Sequence, residues 1–121
     1  MSTLDPVLIT GGAGYIGSHA VLAFRDAEYP VVVLDDLSNG RRDAVPKDIP
    51  FVEGNAGDQS LVSQTIDEHR IDAVIHFAGS IVVPESVSDP LKYYRNNTVV
   101  SRNLIETCVD IRYARLFRLS R

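Results

Sequence analysis

The chain has 121 residues, of which 45% are hydrophobic, as expected for one globular domain with a core. Its net charge of −4 is uneven, because residues 1–110 carry 8 basic and 16 acidic side chains and residues 111–121 carry four arginines and no acid. An acidic body argues against a nucleic-acid-binding surface. The single cysteine, Cys108, leaves no disulfide and no zinc–cysteine cluster to consider. With neither a signal-peptide pattern nor a bilayer-length apolar run, we expect a cytoplasmic protein without a membrane partner.

Strand-like and helix-like patterns alternate along the chain. In order, the predicted elements are a strand at 7–10, a helix from 14 to about 27, strands at 31–34 and 49–53, a helix at 60–69, a strand at 71–77 and a helix from 90 to about 109. The buried sides are predicted to comprise Tyr15, Ile16, Ala20, Val21, Leu22 and Phe24 in the first helix, and Leu91, Tyr94, Val99, Leu104 and Ile105 in the third. The alternation predicts an incomplete Rossmann-like α/β fold: a parallel sheet with helices on both faces and strand order 3-2-1-4.

A glycine-rich turn joins the first predicted strand to the first helix. A pyrophosphate binds unpaired backbone N–H groups at the positive end of a helix dipole, and it must approach the backbone closely. We expect Gly11 to allow the tight turn, Gly14 the close approach, and Gly17 the packing of the helix near its strand. A glycine turn without a ligand is the alternative, but the strand before it and the helix after it favour dinucleotide binding.

An acidic residue, Asp35, follows Gly17 by 18 positions, at the end of the second predicted strand. At this place a carboxylate can accept hydrogen bonds from both hydroxyls of an adenosine ribose, and it repels a 2′-phosphate. The predicted cofactor is therefore NAD rather than NADP. A solvated turn aspartate is the alternative reading, and it is the one we favour for the adjacent Asp36.

The histidines are spread over separate elements. His19 and His69 fall in predicted helices, and His76 falls in the fourth predicted strand. Since no pair of them has metal-ligand spacing on one element, we predict no metal site. His76 is expected to be a packed, hydrogen-bonded strand histidine.

Seven motifs resemble the extended short-chain dehydrogenases/reductases, and among them most closely the UDP-glucose 4-epimerases. They occur in the same order and spacing over about residues 7–109, and they read GGAGYIGSH, LDDLSNG, FVEGN, IDAVIHFAG, ESV, DPLKYYRNN and NLIETC. The resemblance implies a tightly held NAD that is not consumed. It also implies interconversion of UDP-glucose and UDP-galactose through a 4-keto intermediate, so a nucleotide sugar is the expected partner of the intact enzyme.

The resemblance also assigns cofactor contacts to individual positions. They are Gly11, Gly14, Tyr15 and Ile16 for the phosphates, Asp35, Leu37, Ser38 and Asn39 for the adenosine, Asn55 and Ala56 for the adenine, Phe77, Ala78 and Gly79 for the cleft wall, and Asn96 on the last helix. This chain departs from the family at Asn55-Ala56, where Asp-Ile is usual, and at Ile81, where Lys is common. The asparagine oxygen can still accept a hydrogen bond from the adenine amino group, whereas Ile81 removes a polar contact.

Catalytic residues of the family are missing from this sequence. The family's Tyr-x-x-x-Lys pair cannot be formed, because the only lysines are Lys47 and Lys92 and the residues four before them are Asp43 and Ser88. Without that general base, residues 1–121 alone are expected to be inactive. We interpret residues 1–110 as the N-terminal part of an NAD-binding Rossmann domain. Residues 111–121, with arginine at every third position, are interpreted as a tail that departs from the family through truncation or a frameshift.

Two alternatives remain open from the sequence. One is a piece of a sugar-nucleotide dehydratase or reductase, and the other is a non-catalytic dinucleotide-binding domain. In either case the predicted fourth strand, 71–77, would be an apolar sheet edge unless a fifth strand covered it. Exposed edges of this kind recruit other chains, so we expect a homo-oligomer.

Overall fold

The structure is a computed structural model in which residues 4–38, 40–77 and 99–119 are described, residues 112–119 as backbone only. Within these ranges the elements are β1 (Val7–Thr10), α1 (Tyr15–Asp26), β2 (Val31–Asp35), a 3₁₀ turn (Arg42–Ala44), β3 (Phe51–Glu53), α2 (Gln59–His69), β4 (Ala73–His76) and α3 (Val100–Leu119). In this part of the chain, no helix is both long enough and apolar enough to cross a bilayer.

The four strands form one parallel sheet in the order β3-β2-β1-β4, as predicted. The central pair is aligned so that Val7 lies opposite Val31 and Thr10 opposite Leu34, while Thr10 also lies opposite His76 of β4. Every residue of β1 and β2 is buried. The β-branched, apolar runs therefore act as strands covered on both faces, the usual arrangement in parallel sheets.

Side chains that alternate along the strands separate into two cores, one on each face of the sheet. Leu8 of β1 packs with Val62 of α2 and Leu104 of α3, whereas Ile9 packs with Val21 of α1. Helix α1 thus covers one face, and α2 and α3 cover the other. The prediction of helices on both faces is confirmed.

Helix α1 differs from its predicted amphipathic pattern at its start. Of the six residues assigned to its buried side, Val21 is buried and Ala20 and Phe24 are partly buried, but Tyr15 is 82% exposed, Ile16 is 60% exposed and Leu22 is also exposed. The helix begins only after the glycine turn, past the last residue of β1, so its first turn has little sheet beneath it. The apolar residues there are available for contacts with a ligand.

Helix α3 extends further than predicted, to Leu119 instead of about Val109. Nothing in residues 100–119 is a glycine or a proline, and arginine, leucine and alanine favour helix, so the arginine-rich segment contains no stop signal. Ile105, predicted to be buried, is 62% exposed, while Leu104 is buried. The predicted start of this helix, and Leu91 and Tyr94 on it, lie outside the described residues.

The remaining strand limits shift by a few residues. Strand β3 begins at Phe51 rather than at 49, directly after Pro50, which has no N–H to donate to a ladder. Strand β4 covers Ala73–His76 rather than 71–77, although Ile71 is buried just before it. These differences leave the order and direction of the strands unchanged.

Candidate functional site

Gly11 begins the turn that connects β1 to α1. Its φ angle is 73°, a conformation that residues with a Cβ rarely adopt. The Gly11 N–H donates to the carbonyl of Leu34 at 2.8 Å, and the Gly11 carbonyl accepts from the Gly14 N–H at 3.1 Å. The expected tight turn is therefore present at the carboxyl end of the two central strands.

Gly17 allows helix α1 to pack directly on this turn. A Cβ at position 17 would lie 2.0 Å from the carbonyl oxygen of Gly11 and 3.0 Å from Cα of Gly12. Both neighbours are backbone atoms that cannot move aside cheaply. The predicted close packing is thus observed, and the backbone that it meets is that of the turn itself.

Gly14 occupies the N-cap of α1 and leaves space in front of it. A Cβ at this position would have only one described neighbour, the Gly11 carbonyl oxygen at an ordinary 3.4 Å. The N-cap has no side-chain hydrogen bond, and the first turn of α1 contains no acidic residue. The first N–H groups of a helix lack intrahelical acceptors and carry the positive end of its dipole. This terminus therefore suits an anion.

Tyr15 and Ile16 follow Gly14 on the exposed side of the first helical turn. The ring of Tyr15 meets that of His19 edge to face, with 5.0 Å between centroids. The contact joins residues one helical turn apart and supports the Tyr15 ring at the rim of the glycine turn. An exposed apolar rim beside free helical N–H groups can cover a bound phosphate.

Asp35 is the last residue of β2, and it is only 6% exposed. Its Oδ2 accepts a hydrogen bond from the Ala13 N–H at 3.0 Å, and its Oδ1 accepts one from the Leu37 N–H at 2.7 Å. An ionised carboxylate has about four acceptor positions, so about two remain after these backbone bonds. Asp35 is therefore not a solvated turn residue: it is held against the glycine turn and keeps acceptor capacity.

The loop after β2 is shaped by local hydrogen bonds. Leu37 has a φ of 62°, which turns the chain directly after Asp35. Asp36, which we expected to be merely solvated, is exposed but also accepts from the N–H and the hydroxyl of Ser38, at 3.0 and 2.7 Å. Asn39 lies outside the described residues.

Asn55 and Ala56 follow β3, at the same edge of the sheet as Asp35. The exposed side chain of Asn55 accepts from the Gly57 N–H at 2.7 Å, which fixes its amide oxygen. Ala56 is buried in the core shared with α2 and α3, so its backbone is the part available to a ligand. The carbonyl of Asp35 accepts from the Gly54 N–H at 3.1 Å and joins the two loops.

Phe77 follows β4 and is partly exposed, and its N–H donates to the carbonyl of Thr10 at 2.8 Å. Because all four strands are parallel, their carboxyl ends meet at one edge, outside which ligands bind in open α/β sheets. That edge brings together the glycine turn, Asp35, Asn55 and Phe77. Ala78, Gly79 and Asn96 lie outside the described residues.

Residues 7–120 match the family model described as Epimerase, the NAD dependent epimerase/dehydratase family. The chain belongs to this family. The UDP-glucose 4-epimerase of Azospirillum brasilense is 58% identical over 103 residues, which cover 85% of this chain and 30% of that protein. The Lactobacillus helveticus UDP-glucose 4-epimerase is 47% identical and covered over 32% of its length. The chain thus spans about a third of the curated relatives that it matches.

Solved structures of family members share this fold. The UDP-glucose 4-epimerase from Brucella ovis, crystallised in complex with NAD, superposes with a TM-score of 0.81 at 45% identity, over 86% of this chain and 32% of that one. The Thermotoga maritima enzyme, crystallised with UDP-glucose, gives a TM-score of 0.83 at 32% identity, over 87% of this chain and 34% of that one. The strand order and helix placement described above are therefore those of epimerase structures.

A partly buried polar contact joins the carboxyl ends of β1 and β4 to α3. The hydroxyl of Thr10 is hydrogen-bonded to Nδ1 of His76, and Nε2 of His76 to the Ser101 hydroxyl at 3.0 Å. Burial lowers the pKa of His76 below its ordinary value of 6.5. The prediction of a packed, hydrogen-bonded strand histidine is confirmed, and the contact joins β1, β4 and α3.

The described residues contain neither an activated thiol nor a metal-binding cluster. Burial raises the pKa of the Cys108 thiol, which keeps it protonated and a weak nucleophile. Within the described ranges, the His, Cys, Asp and Glu side chains form no group of three able to hold a metal ion.

Three contributors to the site were missed by the sequence reasoning: Gly12, Ala13 and Gly40. A Cβ at Gly12 would lie 2.7 Å from Cγ1 of Val33, so Gly12 lets the turn cross close to β2. Gly12 directly follows Gly11 in the sequence. This pair of glycines is a signal that was overlooked, because only glycines at every third position were considered. Ala13 and Gly40 carry no such signal, because they act through contacts between distant segments.

Proposed function

We propose that this chain is the NAD-binding part of a UDP-glucose 4-epimerase. The observation that carries the proposal is the uncapped N-terminus of α1 behind the glycine turn, next to an ordered Asp35, in a chain of this family. The NAD-bound Brucella ovis structure supports the same cofactor. The chemistry that NAD supplies in the proposal is reversible acceptance of the sugar C4 hydride.

The pyrophosphate of the dinucleotide would be held by the glycine turn. The backbone N–H groups of Tyr15 and Ile16 are the donors, and the open space at Gly14 admits the phosphate oxygens. Positive dipole and hydrogen bonds act together there, so no lysine or arginine is needed in the turn. The exposed rings and aliphatic groups of the first helical turn would exclude water.

The adenosine would lie over the ends of β2 and β3. The remaining acceptor positions of the Asp35 carboxylate match the two ribose hydroxyls, and a 2′-phosphate there would meet a negative charge. The Asn55 amide, which is exposed, would contact the adenine. Leu37 and Ser38, with Asn39, would line the loop on the adenosine side.

The remaining proposed contacts are on the nicotinamide side. Phe77, Ala78 and Gly79 would form the wall of the cleft there, and Asn96, on the predicted last helix, would face the cofactor. Of these, the placement of Phe77 at the carboxyl edge of the sheet supports the proposal.

The proton-transfer residues of the epimerase reaction are not among residues 1–121. No Tyr-x-x-x-Lys pair occurs in this sequence, so we expect these residues alone to bind NAD without converting UDP-galactose. The same observation favours a second candidate, a non-catalytic dinucleotide-binding domain. Turnover of UDP-galactose by purified residues 1–121, above a Gly14→Val blank, would contradict both the expected inactivity and the second, non-catalytic candidate.

The proposal also covers the location of the protein and its assembly. We infer a cytoplasmic protein that self-associates. The one-sided pairing of β4, which contacts only β1 among the described strands, supports the self-association. Sedimentation across a concentration series tests it, and a clean monomer at high concentration would contradict it.

Cofactor binding is tested by melting residues 1–121 with NAD and with NADP. At a free concentration of a hundred times its dissociation constant, NAD should stabilise the fold by about 2.7 kcal/mol. NADP at the same concentration should give little shift, because of Asp35. Equal stabilisation by both would remove Asp35 from its proposed role, and no effect of either would remove the cofactor.

A further inference from the structure

The loop after β2 is fastened to the glycine turn through one residue, Ala13. The Ala13 N–H donates to Asp35 Oδ2, and the Ala13 carbonyl accepts from the Arg41 N–H, both at 3.0 Å. Ala13 is itself buried in the core on the α1 side of the sheet. Both backbone groups of this residue therefore hold the segment that begins at Asp35 and ends at Arg41.

Gly40 makes this attachment possible. A Cβ at position 40 would lie 2.8 Å from the carbonyl carbon of Ala13, 2.9 Å from its oxygen and 2.9 Å from its Cβ. Two of these atoms are backbone, so the loop or the turn would have to move apart. No positive φ is involved at Gly40, and close approach is the reason for glycine there.

We infer that Gly40 determines cofactor specificity by seating Ala13 against Asp35. The inference rests on the proposed function and deepens it: the clamp, made of the Ala13 backbone, Gly40 and the backbone N–H of Arg41, orients the Asp35 carboxylate that selects the adenosine ribose. The Ala13 N–H holds one carboxylate oxygen and the Leu37 N–H holds the other, so the rotation of the carboxylate is restricted. Gly40 contacts neither cofactor nor substrate in this role and is a positioning residue.

The specificity argument follows from the charge. A fixed carboxylate accepts hydrogen bonds from two ribose hydroxyls and repels a 2′-phosphate, so it raises the affinity for NAD and lowers that for NADP. A carboxylate that has lost the Ala13 N–H keeps the bond from the Leu37 N–H but is less restricted in rotation, which weakens both effects. Loss of the clamp should thus narrow the preference for NAD instead of lowering both affinities equally.

The test is calorimetric titration of wild type and Gly40→Ala with NAD and with NADP. We expect the NAD dissociation constant to rise about tenfold, the size expected when a misoriented carboxylate loses one hydrogen bond from a ribose hydroxyl. The NADP dissociation constant should change less, so that the ratio of the NADP constant to the NAD constant falls. An unchanged ratio of the two dissociation constants, which means an equal loss of affinity for both dinucleotides, would overturn the inference.

Arg41→Ala is the matched control, because it removes the exposed guanidinium and keeps the N–H that Ala13 accepts. Its dissociation constant for NAD should stay within about twofold of wild type. A large loss in Arg41→Ala would assign the effect to the arginine charge and overturn the role of the clamp.

Amide hydrogen exchange of the wild type keeps the inference testable if Gly40→Ala fails to fold. Without cofactor, the Ala13 and Arg41 amides should be far better protected than the Ser38 amide, which is bonded only to an exposed side chain. Equal, fast exchange at all three would overturn the clamp. A wild type that binds no NAD would instead refute the proposed function.

Discussion

The two helices that begin at the carboxyl edge of the sheet solve the same problem in different ways. Helix α2 begins at Asp58, whose carboxylate accepts from the Leu61 N–H at 3.2 Å. Helix α1 begins at Gly14, which has no side chain to offer and no acidic residue in the turn that follows. Every helix leaves its first N–H groups without intrahelical partners.

This difference suggests separate roles: the start of α2 serves the fold, and in our proposal the start of α1 binds a ligand. Asp58 satisfies one of the first N–H groups of α2 from within the chain and places a carboxylate at the positive end of the helix dipole. The start of α1 has no such side-chain cap, and in our proposal its donors and dipole bind an external anion, at a position where glycine leaves space. Substitutions at the two termini should accordingly separate binding from folding.

Gly14→Val should have the largest effect, which is on binding. The branched side chain enters the space reserved for the pyrophosphate, and NAD binding should become undetectable in a titration that saturates the wild type. Its cost in unfolding free energy should stay within about 1 kcal/mol, since the added Cβ meets only one oxygen at an ordinary distance. Retained binding would make the glycine stretch an ordinary turn.

Gly17→Ala should damage folding as well as binding. The methyl group would lie 2.0 Å from the Gly11 carbonyl oxygen, and the helix would have to move off the turn. Overpacking of this kind costs about 1–3 kcal/mol, which urea unfolding can measure. Comparison with Gly14→Val, three residues earlier, controls for a general intolerance of side chains in this segment. A stability equal to wild type would mean that α1 does not rest on the turn.

Asp58→Ala should affect folding and leave binding almost intact. Loss of the N-cap hydrogen bond typically costs about 0.5–2 kcal/mol. Because Asp58 caps α2 and not α1, the NAD dissociation constant should stay close to that of the wild type when measured well below the melting temperature. A variant as stable as wild type would show that the start of α2 does not depend on this carboxylate.

His76 should give the smallest effect, a dependence of stability on pH. Burial lowers its pKa in the fold, so the unfolded chain binds the proton more readily, and stability is lost as the pH falls through and below 6.5. His76→Gln should reduce that slope, measured by urea unfolding between about pH 7.5 and 5.5. An identical slope in wild type and His76→Gln would contradict the assignment.

The sequence pattern predicted the sheet well, because β1 and β2 contain short, β-branched apolar runs typical of parallel strands that are covered on both faces. It failed at the ends of helices. Tyr15 and Ile16 have the apolar character of core residues and are exposed, since α1 starts beyond the end of β1. Ile105 was assigned to the wrong side of α3, because a single residue of phase decides between core and solvent.

The sequence by itself indicated the glycine turn and the position of Asp35, because each depends on residues close together in the chain. The strand order followed from the alternation of strands and helices, which is typical of this class of fold. Hydrophobic runs, glycine spacing and the acid at the strand end are local signals. Only the tertiary structure decided that Asp35 is held by Ala13, that Gly40 must lack a Cβ, and that His76 joins Thr10 to Ser101. Those contacts join residues far apart in sequence, and they arise only when packing of the sheet and its helices brings the segments together.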